Sequence, residues 1–275
     1  MVGVNMVMGA HPNDMQLVSF AQSHKGKIRD HNEDAYLELA ECGVWVVADG
    51  MGGHAAGDVA SQMVVDTLEM ELAHLPRHQI SVEQLVGAIR RANRNVQHYA
   101  STQMQGKTVG STVVALLVRN EEYHLCWVGD SRAYLLRDGQ LQQCTRDHSQ
   151  VQDMVEQGLI SRDDAEFHPL ANVVTRAIGG QEEVEVDVVS GLLQPGDLFL
   201  LCSDGLSKEL SFHQLSQILN TPSVVDACMA LTHSALVHGG RDNITSVLVR
   251  ACQGRSQGEL DDPTLPLVQG HWVRT

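Results

Sequence analysis

The chain has 275 residues, 43% hydrophobic and 19% charged, with 34 acidic side chains against 19 basic ones and a formal net charge of −15 at pH 7. At roughly 150 residues per domain this length allows one large domain or two modest ones, and the apolar content is enough for a buried core, which sets disorder aside. So acidic a chain is a poor fit to nucleic acid or an anionic membrane surface, no apolar run reaches the ~18 residues of a spanning helix, and Met1–Ala10 lacks the basic residues of a secretory leader, so a cytoplasmic globular protein is expected.

Strand-like stretches begin with 16–21, 35–40 and 44–48, each rich in branched or aromatic residues and bounded by Gly, Asp or Asn. A helix is expected from about 56 to 74. A second starts at Ser81, where Val82, Leu85, Val86, Ile89, Ala92, Val96 and Tyr99 share one face and Ser81 with Gln84 forms a capping box. Strands follow at 112–118, 123–128 and 133–137, the last joined to 140–144 through Asp138-Gly139 as a two-residue hairpin. Further strands are expected at 184–189, 198–202 and 245–249. Helices are expected after Ser211, capped with Gln214, and at about 224–237. Strands grouped by hairpins, with helices grouped between them, indicate an α+β fold of antiparallel sheets with helices packed outside.

Six cysteines without a CxxC pair read as reduced core residues. The fourteen histidines are scattered and form no HExxH, so no histidine-bound zinc site is indicated.

The informative pattern is where the acids sit. Asp49 follows Val44-Trp45-Val46-Val47-Ala48, Asp130 follows Leu125–Gly129, Asp204 follows Leu198–Ser203, and Asp242 precedes the last strand. Glu33-Asp34 opens another strand. Carboxylates at strand ends are partly desolvated and repel one another unless a cation neutralises them. Oxygen-only donors suit Mg²⁺ or Mn²⁺. Glycine beside Asp49 and Asp204 allows a sharp turn and offers a carbonyl. Arg29 is a planar cation close by in sequence, suited to phosphate. The segment Gly50–Gly57 lacks the spacing of a nucleotide-binding loop. Cys126–Arg132 satisfies C-x5-R, the spacing of thiol phosphatases, but an acid inside that loop would raise the thiol pKa and repel a phosphate dianion.

Seven stretches taken in order, Arg29–Asp34, Val47–His54, Gly110–Thr112, Val128–Ala133, Thr145–Ser149, Leu201–Leu206 and Arg241–Thr245, resemble the motif series of the type 2C metal-dependent serine/threonine protein phosphatases, in their bacterial variants. The resemblance spans about Leu17 to Arg250. It implies a four-layer α/β/β/α sandwich, two antiparallel sheets flanked by helices, with a binuclear Mn²⁺/Mg²⁺ site at one edge. By analogy Asp49 bridges the two ions, Asp204 and Asp242 complete the first site, and the Gly50 carbonyl with Glu33 or Asp34 serves the second. Asp130 with Asp204 matches a third, weaker ion site. Arg29 matches the phosphate clamp. The catalytic set is therefore Arg29, Asp49, Asp204 and Asp242.

Residues 1–14 and 252–275, the latter without periodicity, are expected to be tails around a catalytic domain at 15–251, and the resemblance implies a flap at about 147–180 entered through His148 and Ser149. The implied activity is hydrolysis of phosphoserine and phosphothreonine on proteins by a water bridging two metals, by a monomer opposing a bacterial serine/threonine kinase. One departure stands out. Met51 occupies the position of a histidine found in eukaryotic members, leaving His54 or a metal-bound water to protonate the leaving group. Two other readings are a catalytically silent phosphoprotein-binding member and a metal phosphatase for small phosphate esters.

Overall fold

The computed structural model describes residues 9–10, 15–52, 56–104, 109–165 and 168–253. Its strands are β1 (Gly9–Ala10), β2 (Met15–His24), β3 (Asp34–Leu39), β4 (Val44–Met51), β5 (Gly110–Ser111), β6 (Val113–Arg119), β7 (Glu122–Val128), β8 (Arg132–Arg137), β9 (Gln140–Gln143), β10 (Asp187–Leu192), β11 (Leu198–Cys202) and β12 (Ile244–Gln253). Its helices are α1 (Ala56–Leu72), α2 (Val82–Gln103), α3 (Gln150–Glu156), α4 (Arg162–Ala165), α5 (Asp204–Ser207), α6 (Phe212–Leu219) and α7 (Val224–His238). One sheet has the order β1-β2-β12-β11-β8-β9 and the other β10-β7-β6-β4-β3, with β5 paired to β4. Every pairing is antiparallel.

Period-two alternation decides the layering. In β4, Val44, Val46 and Ala48 face α1 and α2, while Trp45 and Val47 face the other sheet. In β11, Phe199 and Leu201 face inward, and Leu198, Leu200 and Cys202 meet α6 and α7. Both sheets are thus covered on both faces, which is why these strands read as unbroken apolar runs. Three apolar layers result, one between the sheets and one under each helix pair. The fold is the expected four-layer sandwich.

Local signals account for the element ends. The Ser81 and Gln84 capping box forms, with Ser81 N–H donating to Gln84 Oε1 at 2.7 Å. Ser211 and Gln214 do the same before α6. Asp138 and Gly139 take φ of 51° and 74°, the left-handed pair that a two-residue hairpin turn needs.

Among the boundaries that differ from the sequence expectation, three have a visible structural cause. The strand expected at 184–189 lies at Asp187–Leu192, because Val184 is buried against the helix-facing layer and sheet pairing starts only at Asp187 opposite Trp127. The strand β4 continues through Asp49 and Gly50 to Met51, held by pairing to β5. At the chain's two ends, Gly9–Ala10 pairs with β2, and β12 runs on to Gln253 opposite Met15; both pairings lie in stretches expected to be tails.

Phe199 is 1% exposed, with its ring centroid 4.9 Å from that of Tyr123. Phe199→Ala is expected to cost about 3–5 kcal/mol of unfolding free energy in urea denaturation. Met229→Ala, at a position 52% exposed on α7, should cost no more than about 0.5 kcal/mol.

Candidate metal centre

The two sheets meet at one end of the sandwich, and the acids sit at that seam. Asp49 in β4 stands opposite Asp34 at the start of β3. Thr112 Oγ1 accepts the Asp49 N–H at 3.0 Å. From the other sheet, β11 ends at Cys202, and Ser203 caps the short helix α5, whose first residue is Asp204. Ser203 Oγ donates to Asp34 Oδ2 at 2.8 Å and accepts the Thr245 N–H at 3.0 Å. One hydroxyl therefore joins an acid of the first sheet to the backbone of the second.

Asp242 lies in the turn before β12, and its neighbour Asn243 holds the loop that carries Arg29 and Glu33. Asn243 Nδ2 donates to the Lys25 and His31 carbonyls, at 2.9 Å each, and Oδ1 accepts the Glu33 N–H at 2.8 Å. Close packing at Gly57 fixes the other side. A Cβ on Gly50 would stand 1.9 Å from the Gly57 carbonyl oxygen, so only glycine at 50 lets α1 approach.

Electrostatics give this end its character. Desolvation, reinforced by the charges of Asp34, Asp204, Asp130 and Asp242, holds the Asp49 carboxyl well above the usual range. Desolvation pushes Asp34 up to about 7, against the Thr245 and Ser203 hydroxyls and with Asp204 and Asp242 adding to the rise. Asp130, only 6% exposed, is pushed up to about 7 by burial and then by Asp204. Burial also raises Glu33, which feels Arg29 in one direction and Asp58 and Asp242 in the other. These are acids short of positive charge.

Two basic side chains of the chain itself supply some of it. Arg29 Nη2 donates to Asp242 Oδ2 at 2.7 Å. Lys208 Nζ donates to Asp204 Oδ2 and, at 2.7 Å, to Asn172 Oδ1. Burial works against the Lys208 charge, but Asp204 and Asp130 outweigh it and hold the ammonium above its ordinary pKa. Asp34 Oδ1 is out of contact with solvent and has no hydrogen-bond partner among the described residues. Among those residues no group of three or more His, Cys, Asp or Glu side chains is arranged to hold a metal ion. An all-oxygen donor set, an orphaned buried carboxylate oxygen and several raised carboxyls fit hard divalent cations.

The structure brings Asp34, Asp49, Asp130, Asp204 and Asp242 together, with Glu33 and the Gly50 backbone against α1 and Arg29 on Asp242. Asp130, Asp204 and Asp242 line a groove of about 1000 Å³ together with Leu141 and Phe212. His148 is not in that groove. It is 2% exposed, accepts the Gly129 N–H at Nδ1 (3.1 Å) and sets Nε2 3.2 Å from Asp187 Oδ2. Ser149 caps α3. His54 lies outside the described residues. Cys126 is fully buried in the helix-facing layer with its thiol pushed up to about 12. Arg132, its partner in the C-x5-R spacing, is bound to Asp147 through Nε and Nη2. No thiolate phosphate loop exists there. Sequence reasoning missed Lys208, Asn243 and Asp58. Of these only Asn243, beside an acid at a strand start, carried a signal.

A family profile described as "Protein phosphatase 2C" matches residues 23–236. The chain belongs to the protein phosphatase 2C family. It is 36% identical over 260 residues to serine/threonine protein phosphatase PstP of Mycobacterium tuberculosis, covering 90% of this chain but 49% of that protein, so the chain spans about half the length of this relative. Serine/threonine phosphatase stp of Listeria monocytogenes is 37% identical over 236 residues, 83% of this chain and 93% of that one. Among solved structures, PppA, described as a regulatory component of T6SS in Pseudomonas aeruginosa, superposes with a TM-score of 0.77 at 41% identity, covering 86% of this chain and 97% of that one. The PstP catalytic domain in complex with 2 manganese ions gives 0.80 at 35%, covering 86% and 99%.

In this phosphatase 2C domain Asp49 is the acid most surrounded by others. Asp49→Asn should raise the melting temperature of the metal-free protein by a few degrees, about the effect of 1 kcal/mol, while abolishing the further rise on adding Mn²⁺. A lower metal-free melting temperature would contradict the repulsion described above. Cys126→Ser should leave turnover within about twofold, since a buried thiol of raised pKa is no nucleophile; loss of activity in folded protein would reinstate the thiol.

Proposed function

We propose that the chain is a metal-dependent phosphatase for phosphoserine and phosphothreonine on proteins, acting on the products of a bacterial serine/threonine kinase. The observation that carries this reading is the meeting of five aspartates from both sheets, one with an orphaned oxygen, beside a half-exposed arginine. The names of the bacterial relatives and the two manganese ions of the PstP catalytic domain support it.

Asp49 would help to hold both ions, with Asp204 and Asp242 as further donors to one and Glu33 or Asp34 with the Gly50 carbonyl as donors to the other. When bound, Mn²⁺ or Mg²⁺ supplies Lewis-acid activation of water and neutralises phosphate charge. The protein's part is positioning. Arg29, 48% exposed beside Asp242, presents a planar fork that matches two phosphate oxygens. Asn243 fixes the loop on which Arg29 stands. Thr112 and Ser203 hold the strand ends from which Asp49 and Asp204 project, so the donors need little rearrangement during reaction. The groove leading away from Asp204 offers room for a peptide, which favours a protein substrate over a small ester. No helix among the described residues is long and apolar enough to cross a membrane.

Protein stripped with EDTA should release no phosphate from a phosphothreonine peptide and regain turnover with Mn²⁺. Asp204→Asn should lower the Mn²⁺-dependent rate at least about a hundredfold with an unchanged circular dichroism spectrum. Near-normal turnover in that variant, or activity indifferent to chelation, would overturn the assignment.

A further inference from the structure

Lys208 is one turn along the chain from Asp204, and the helical spacing brings its ammonium back onto that carboxylate. The same ammonium feels the charge of Asp130, and Nζ donates to Asn172 Oδ1 at 2.7 Å. Asp130, Asp204, Lys208 and Asn172 all line the one groove. Asn172 belongs to the segment that returns from α4. That segment is tied down just beyond it, where the Val173 carbonyl accepts the Gln150 N–H at 2.9 Å and Thr175 N–H reaches the His148 carbonyl at 2.8 Å. Lys208 is thus the link between the acidic cluster and residues 168–172.

We propose that Lys208 is a tethered cation that competes with a third divalent ion for the Asp130–Asp204 pair and, through Asn172, latches the 168–172 segment over the groove. The proposal rests on the reading of Asp130 and Asp204 as metal ligands. A covalently attached ammonium sits at its carboxylates at high effective concentration, and its charge repels an incoming dication. A third ion binds only by displacing Lys208, and that displacement breaks the bond to Asn172. Third-ion occupancy and the position of the segment are therefore one equilibrium.

The test measures Mn²⁺ uptake by equilibrium dialysis on the metal-stripped full chain, together with amide hydrogen exchange over 168–172. Wild type should take up two ions tightly and a third weakly. Lys208→Met should bind the third ion at least about tenfold more tightly, since a unit charge within contact distance is removed, and should exchange faster over 168–172. Lys208→Arg, which keeps the charge, should retain the weak third site. Asn172→Ala should speed exchange while leaving the third site weak. The same third-ion affinity in wild type and Lys208→Met would overturn the competition. Unchanged exchange in both Lys208→Met and Asn172→Ala would overturn the latch. No Mn²⁺ uptake by folded wild type would instead overturn the metal reading on which the proposal stands.

Discussion

Mutual repulsion among carboxylates is the constraint around which this molecule is organised. Two unit charges 4 Å apart at an effective dielectric of 20 interact by about 4 kcal/mol, while a whole domain is stable by only about 5–15 kcal/mol. Five aspartates within one another's field are therefore a large burden. The chain relieves it in three ways visible in the structure. Asp34 and Asp130 have carboxyls raised to about 7, where protonation is easy. Arg29 covers Asp242, and Lys208 covers Asp204. Neither basic side chain hydrogen-bonds Asp34 Oδ1, which is buried without a partner among the described residues.

The sandwich makes such crowding tolerable because neither sheet owns the site. Asp34 and Asp49 come from one sheet, and Asp204 and Asp242 flank strands of the other. The Ser203 hydroxyl between Asp34 and the Thr245 backbone ties the two together. Inter-sheet packing of Trp45, Val47, Phe199 and Leu201 then fixes the separation of the two acidic edges. Core packing and ligand spacing are the same structural variable, which is how a stable scaffold holds an unfavourable charge cluster.

Much of this was legible in the sequence, for a physical reason. A strand covered on both faces must be apolar throughout, so an acid at its end is conspicuous, and Asp49, Asp130, Asp204 and Asp242 all announce themselves that way. Capping boxes and the Asp138-Gly139 hairpin are equally local. What stayed hidden depends on contacts between distant segments. Val184 is as apolar as a strand residue but packs beneath a helix, so the strand begins three residues later than composition suggests. Lys208 looks like any surface lysine after a Gly-Leu-Ser turn, until α5 folds it back on Asp204. The three bonds of Asn243 reach Lys25, His31 and Glu33, more than two hundred residues away, and no periodicity encodes them.

The segment beside the site is held at both ends, and inside it Gln150 and Thr175 bond to the Val173 and His148 carbonyls. At its start Asp147 receives Arg132 through two nitrogens, with Gln143 on the same carboxylate, and His148 is stitched to Gly129 by ring and backbone. At its close Arg176 joins Asp187 at 2.6 Å, Ile178 and Ser111 exchange backbone bonds, and Gly179 N–H reaches Asn93 Oδ1 at 2.7 Å. Losing one partner of a buried pair such as Arg132–Asp147 leaves an uncompensated charge, so these anchors resist release. Between them α3 is exposed along one side, and the segment touches the acidic cluster through Lys208 and Asn172. Lys208 is bound there both to Asn172 Oδ1 and to the Asp204 carboxylate, so one side chain spans the segment and the cluster.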